Sequence, residues 1–161
     1  MLPDLWNMLE ASERKIASPI LQISQDAIDI TSSTFELRHA FLTCTFVSKN
    51  RDRCRFQLSF GKGGERGRFN FFIGEGAEFY NYEAFDDDES QADIRQDLDR
   101  FLRSVVRCER IADRQGIVAE RYSASELLLD GNPMRFTYQA RYMVPFFKKT
   151  SEVFTYSPWV D

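Results

Sequence analysis

Between Phe35 and Ile73 the chain repeatedly alternates apolar and polar residues, the two-residue period of strands with one buried face. Phe35, Leu37, His39 and Phe41 fall on one side, and Glu36, Arg38 and Ala40 on the other. From Leu42 to Val47 both faces turn more apolar, which suggests a central strand. Lys49-Asn50-Arg51-Asp52 reads as a turn, after which Cys54, Phe56, Leu58 and Phe60 alternate with Arg53, Arg55, Gln57 and Ser59. A glycine-rich loop, residues 61–67, leads to Phe69, Phe71 and Ile73. The simplest reading is a three-stranded antiparallel meander over residues 35–74, with a further short strand near Ala27–Thr31.

Helical spacing replaces this pattern in two places. Leu5, Leu9 and Ile16 predict one helix from about Pro3 to Ile16, ended by Ser18-Pro19. Ile94, Leu98, Phe101, Leu102 and Val105 form the clearest apolar stripe, with acids in the first turn and a capping-box pattern at Ser90 and Asp93. Strands resume afterwards. Ile111 and Ile117–Tyr122 flank a turn at residues 114–116, and Leu127–Leu129 precede the turn signal Asp130-Gly131-Asn132-Pro133. Met134 to Val144 alternate again, and Val153–Tyr156 add a last strand. The expected fold is α+β. It has an antiparallel sheet of about six to eight strands, an N-terminal helix and one long central helix packed on it. No linker or repeat divides residues 1–161, so one domain is expected.

Composition narrows the chemistry. The net charge is −4, but residues 83–103 alone hold 8 acidic and 3 basic side chains, net −5, so the acidity is local. Three scattered cysteines, no basic-then-apolar leader and no 20-residue apolar run point to a reducing, cytoplasmic location without membrane contact. The single histidine, His39, cannot build a multi-histidine metal site; its position among apolar residues suits a buried structural role. Cys44, Cys54 and Cys108 lack the close pairing of zinc ligands. The glycine-rich loop leads into a strand rather than a helix, against a phosphate loop. Lys49, Arg51, Arg53 and Arg55 fit a solvated sheet face, and a pI of about 5.2 is not that of a nucleic-acid binder. No catalytic residue, cofactor or metal ligand set is predicted.

The segment with distinctive chemistry is the acidic, aromatic stretch before the long helix. Tyr80, Tyr82, Asp86, Asp87, Asp88, Glu89 and Asp93 are the candidate partner-binding residues, since tyrosines beside carboxylates suit a protein interface. The same acids also suit a solvated helix N-terminus, and they lack the ligand alternation of a calcium loop. Three functions stay open. The first is a non-enzymatic binding protein, such as an immunity-type inhibitor of a basic toxin or effector, or an acidic secretion chaperone. The second is a small-molecule-binding domain or enzyme with a pocket between sheet and helix, near His39, Glu36, Tyr138 and Arg141. The third is a structural subunit that buries the aromatic segment Phe154–Trp159 in a homodimer.

Overall fold

The computed structural model describes residues 2–142 and 147–161, and for Tyr82 the backbone alone. Two antiparallel sheets carry the chain. The first is a five-stranded meander in sequential order: β1 (Thr34–Arg38), β2 (Phe41–Phe46), β3 (Phe56–Gly61), β4 (Arg68–Ile73) and β5 (Ala77–Ala84). The second has four strands, β6 (Val106–Asp113), β7 (Gly116–Leu129), β8 (Asn132–Gln139) and β9 (Thr150–Tyr156), in the order β8-β7-β6-β9. The α+β class and the antiparallel pairing agree with the sequence pattern. The expectation of one sheet of about six to eight strands fits only roughly: among the described residues nine strands divide between two sheets.

The departures have local causes. Phe35 to Phe46 is a hairpin, because His39 and Ala40 adopt φ of 47° and 62° and reverse the chain between β1 and β2. His39 is therefore exposed in a tight turn and not buried on a strand face. The stretch expected as a connector contains β5, which pairs with β4 through two register shifts. Its turn depends on Gly74, at φ 64°, where a Cβ would lie 2.0 Å from the Tyr122 ring. Near Ala27–Thr31 there is a short 3-10 turn and one bridge, Ile28 to Ser48. β8 ends at Gln139, and Val144 of the expected alternation lies outside the described residues.

The expected N-terminal helix is two helices, α1 (Leu2–Met8) and α2 (Ala11–Ala17). The Glu13 carboxylate accepts the Glu10 N–H at 2.7 Å, which starts a new helix at that point. Glu13 is buried and also pairs with Lys62, so the lysine of the glycine-rich loop serves packing. The third helix, α3 (Asp88–Leu102), has 15 residues and buries Gln91, Ile94, Leu98, Phe101 and Leu102. It stops before Val105, which is 45% exposed. Its last carbonyl, Leu102, accepts the N–H groups of Trp159 and Val160, so the C-terminal segment closes the helix end.

Aromatic rings join the layers. Phe56 stands among Phe46, Phe71, Phe101 and Trp159, with centroid separations of 4.6, 6.3, 5.5 and 5.4 Å. Phe71 meets Phe79, and Phe79 meets Phe136 of the second sheet at 5.2 Å. The buried residues of both sheets and of α3 thus form one connected cluster. Trp159, expected at a dimer surface, is buried and donates its indole N–H to the Cys54 carbonyl at 2.8 Å. No helix among the described residues is long and apolar enough to cross a membrane.

Candidate functional site

The acidic segment is held by the end of β5 and the first turns of α3. Asp87, not Ser90, caps the helix: its carboxylate accepts the Ser90 N–H and Oγ–H, each at 2.8 Å. Those two bonds, backbone first, hold its pKa below the ordinary carboxylate value. Asp87 is thereby occupied with helix structure. Asp88 is exposed and forms an ion pair with Lys15 of α2 at 2.9 Å. Asp86, Glu89 and Asp93 are also exposed, and among the described residues none of them has a cationic partner. Further along α3 the acids are matched: Asp97 pairs with Arg100 and Asp99 with Arg103.

The tyrosines divide differently. Tyr80 is half-buried, and its hydroxyl donates to Asp97 at 2.7 Å, tying β5 to α3. Burial, then this bond to a carboxylate, pushes its hydroxyl pKa upward. Tyr80 therefore supports the site from beneath. The Tyr82 backbone lies in β5, and its side chain is outside the described residues.

Two open depressions border the acidic edge. One, of about 610 Å³, lies between the Ser18–Gln22 turn and α3, with Pro19, Gln22, Asp93, Arg95 and Asp99 on its walls. The other, of about 310 Å³, is lined by Glu10, Ser12, Glu13, Arg66, Asp86 and Gln91. Gln91 is 8% exposed; its amide N–H₂ donates to the Phe85 carbonyl at 3.2 Å, while its side-chain oxygen has no partner among the described residues.

The residues named for a pocket are not brought together. Glu36 and His39 belong to the outer hairpin of the first sheet, Glu36 paired with Arg38 at 2.5 Å. Tyr138 lies on the edge strand of the second sheet, and Arg141 follows it and pairs with Asp113. Of the former basic cluster, Arg53 is committed to Asp52 at 3.0 Å and to the Pro158 carbonyl at 2.9 Å, and Arg55 to Glu75 at 2.9 Å. Cys44, Cys54 and Cys108 are free and buried. Burial pushes the Cys44 thiol up to about 12 and Cys108 to about 11, so none is set up as a nucleophile. Among the described residues no His, Cys, Asp and Glu group is placed to hold a metal ion.

One polar cluster escaped the sequence reading. Glu120 of β7 is fully buried, accepting the Tyr122 hydroxyl at 2.5 Å and the Arg110 Nε–H at 2.7 Å. Arg110 also stacks on Phe154, 4.8 Å from the ring centre. A signal existed: Glu120 is in phase with Val118, Tyr122 and Ala124, the apolar face of its strand. Both carboxylate oxygens are engaged, so the cluster joins β6 to β7 and offers no free group for chemistry. Comparison with protein-family models, with curated proteins and with solved structures finds no match.

Proposed function

We propose that this protein is a non-enzymatic binding module that holds a basic protein partner along the exposed N-terminal edge of α3. The observation that carries the reading is the contrast between the acids at the N-terminal edge of α3 and those further along the helix. Asp97 and Asp99 are neutralised by arginines one turn away, whereas Asp86, Glu89 and Asp93 are exposed without cations among the described residues. Unpaired like charges repel one another, and a basic partner relieves that repulsion while being steered toward the edge. In the neighbouring depression Asp86 supplies an acceptor for an arginine or lysine side chain, while Glu10 there is already paired with Arg66 at 2.6 Å. Within this class the specific reading is an immunity-type inhibitor: a cytoplasmic protein that covers the active surface of a basic toxin or effector.

The test uses the full chain as bait in lysate of its source cells, with bound proteins identified and then purified for titration. The control variant is D86N/D88N/E89Q/D93N. Asp87 is left unchanged because it caps α3. The expected result is a basic partner whose affinity falls at least tenfold in the variant and weakens as salt rises. For the inhibitor reading, the purified partner should also lose its own activity when the protein is added. A partner held equally well by the variant and at high salt removes the acidic edge from the interface.

A further inference from the structure

We infer that the outer face of the second sheet carries a binding site for a phosphate group, built on Arg107, Ser123 and Arg135. The register sets three strands side by side there. Arg107 of β6 pairs with Ser123 of β7, and Ser123 pairs with Arg135 of β8. Directly paired residues of an antiparallel sheet project from the same face. The flanking Cys108, Tyr122 and Phe136 are buried, so this row faces away from the core. Two arginines consequently flank one hydroxyl, their Cα atoms roughly 10 Å apart from two strand spacings. Both guanidinium groups can reach an oxyanion seated over Ser123. β9 extends the row with Thr155, the register partner of Arg107.

The charge on this face is not balanced internally. Glu109 lies in the same depression, of about 280 Å³, but it is shared by Arg121 at 3.5 Å and by the Ser151 hydroxyl at 2.9 Å. Among the described residues Arg107, Arg135 and the Ser123 hydroxyl have neither hydrogen-bond nor ion-pair partners. Two guanidinium forks and a hydroxyl approaching from different directions suit a tetrahedral oxyanion, which accepts hydrogen bonds all round, better than a planar carboxylate. The platform is rigid, because the opposite face of each strand is packed into the core. The ligand is a small one, free phosphate or a phosphate monoester. A polyanion would meet a chain of net charge −4. This site goes beyond the acidic edge of α3 and does not depend on it.

The experiment is a titration of the full chain, followed by backbone amide spectra, with inorganic phosphate and separately with glycerol phosphate, each against sodium chloride of equal ionic strength. Saturable shifts at residues 107, 123 and 135, in the millimolar range or tighter, are expected for both phosphate probes and not for chloride. The single variants R107Q and R135Q should each weaken binding several-fold, and the double variant at least tenfold, with the rest of the spectrum retained. R38Q, on the first sheet, should leave it unchanged. Tighter binding of the ester makes a monoester the ligand, and equal binding makes it the free ion; either supports the site. Absence of saturation, shifts unaffected in the folded single and double variants, or an equal response to chloride overturns it. So does a single-stranded oligonucleotide that binds orders of magnitude more tightly than either probe.

Discussion

Replacing Glu120 by alanine tests whether the buried cluster joining β6 to β7 is as important as its geometry implies. The carboxylate is fully buried and accepts from Tyr122 at 2.5 Å and Arg110 at 2.7 Å. Without it the buried Tyr122 hydroxyl has no acceptor, which costs about 1–3 kcal/mol. Arg110 keeps 33% of its side chain exposed and can turn to water, so its loss is discounted to about 0.5–1 kcal/mol. The expected total is about 1.5–4 kcal/mol, a sizeable part of the ~5–15 kcal/mol that holds a domain of this kind together. E120Q keeps the shape and one acceptor but turns an amide donor toward one of two donors, and about 1–2 kcal/mol is expected. Removing Tyr122's hydroxyl as well, in E120Q/Y122F, should cost less than the sum of the two single changes, because no buried hydroxyl is then stranded. Urea unfolding followed by tryptophan fluorescence measures all four, with Trp159 in the core as reporter. At a slope of ~2 kcal/mol/M, E120A should lower the midpoint by roughly 0.8–2 M. A loss below about 1 kcal/mol for E120A, or strict additivity in the cycle, would refute the reasoning.

Other expectations follow from the same geometry. F56A removes the ring shared by Phe46, Phe71, Phe101 and Trp159 and should cost about 3–5 kcal/mol by urea unfolding, or abolish soluble expression. G74A combines a positive φ with a Cβ 2.0 Å from the Tyr122 ring; a destabilisation of at least ~2 kcal/mol is expected, partly relieved in G74A/Y122L. The Asp29 carboxyl is held down to about 2 by hydrogen bonds from the hydroxyls of Thr31 and Ser32, against an ordinary 3.8. Its folded pKa is the lower one, so its contribution is present above ordinary carboxylate pH and fades as pH falls toward 2. D29N should therefore show a shallower loss of thermal midpoint between pH 4 and 2 than the parent chain. The buried thiols should resist a disulfide thiol reagent in the native state, and three should react on unfolding; fast native labelling of any would contradict their burial.

Sequence alone determined the elements whose side chains report their surroundings by period. The alternations of Phe56–Phe60 and Phe69–Ile73 became β3 and β4, and the stripe Ile94, Leu98, Phe101, Leu102 became the buried face of α3. Burial repeats at two residues in strands and 3.6 in helices, so one-sided segments are legible. The concentration of acid in residues 83–103 was equally plain. Where backbone conformation rather than burial decides, the pattern misleads. His39 and Ala40 take positive φ without a glycine to signal the turn, so a hairpin looked like one strand, and the exposed histidine looked buried. The break after Met8 depends on Glu13 being drawn inward by Lys62, 49 residues away. Partition into two sheets depends on pairings made after the chain leaves β5, which local spacing does not encode. The candidate sites divide the same way. The acids of α3 could be read as a group, but which of them are consumed by Ser90, Lys15, Arg100 and Arg103 required the fold. Arg107, Ser123 and Arg135 are distant in sequence, and only the register of β6, β7 and β8 brings them into one row.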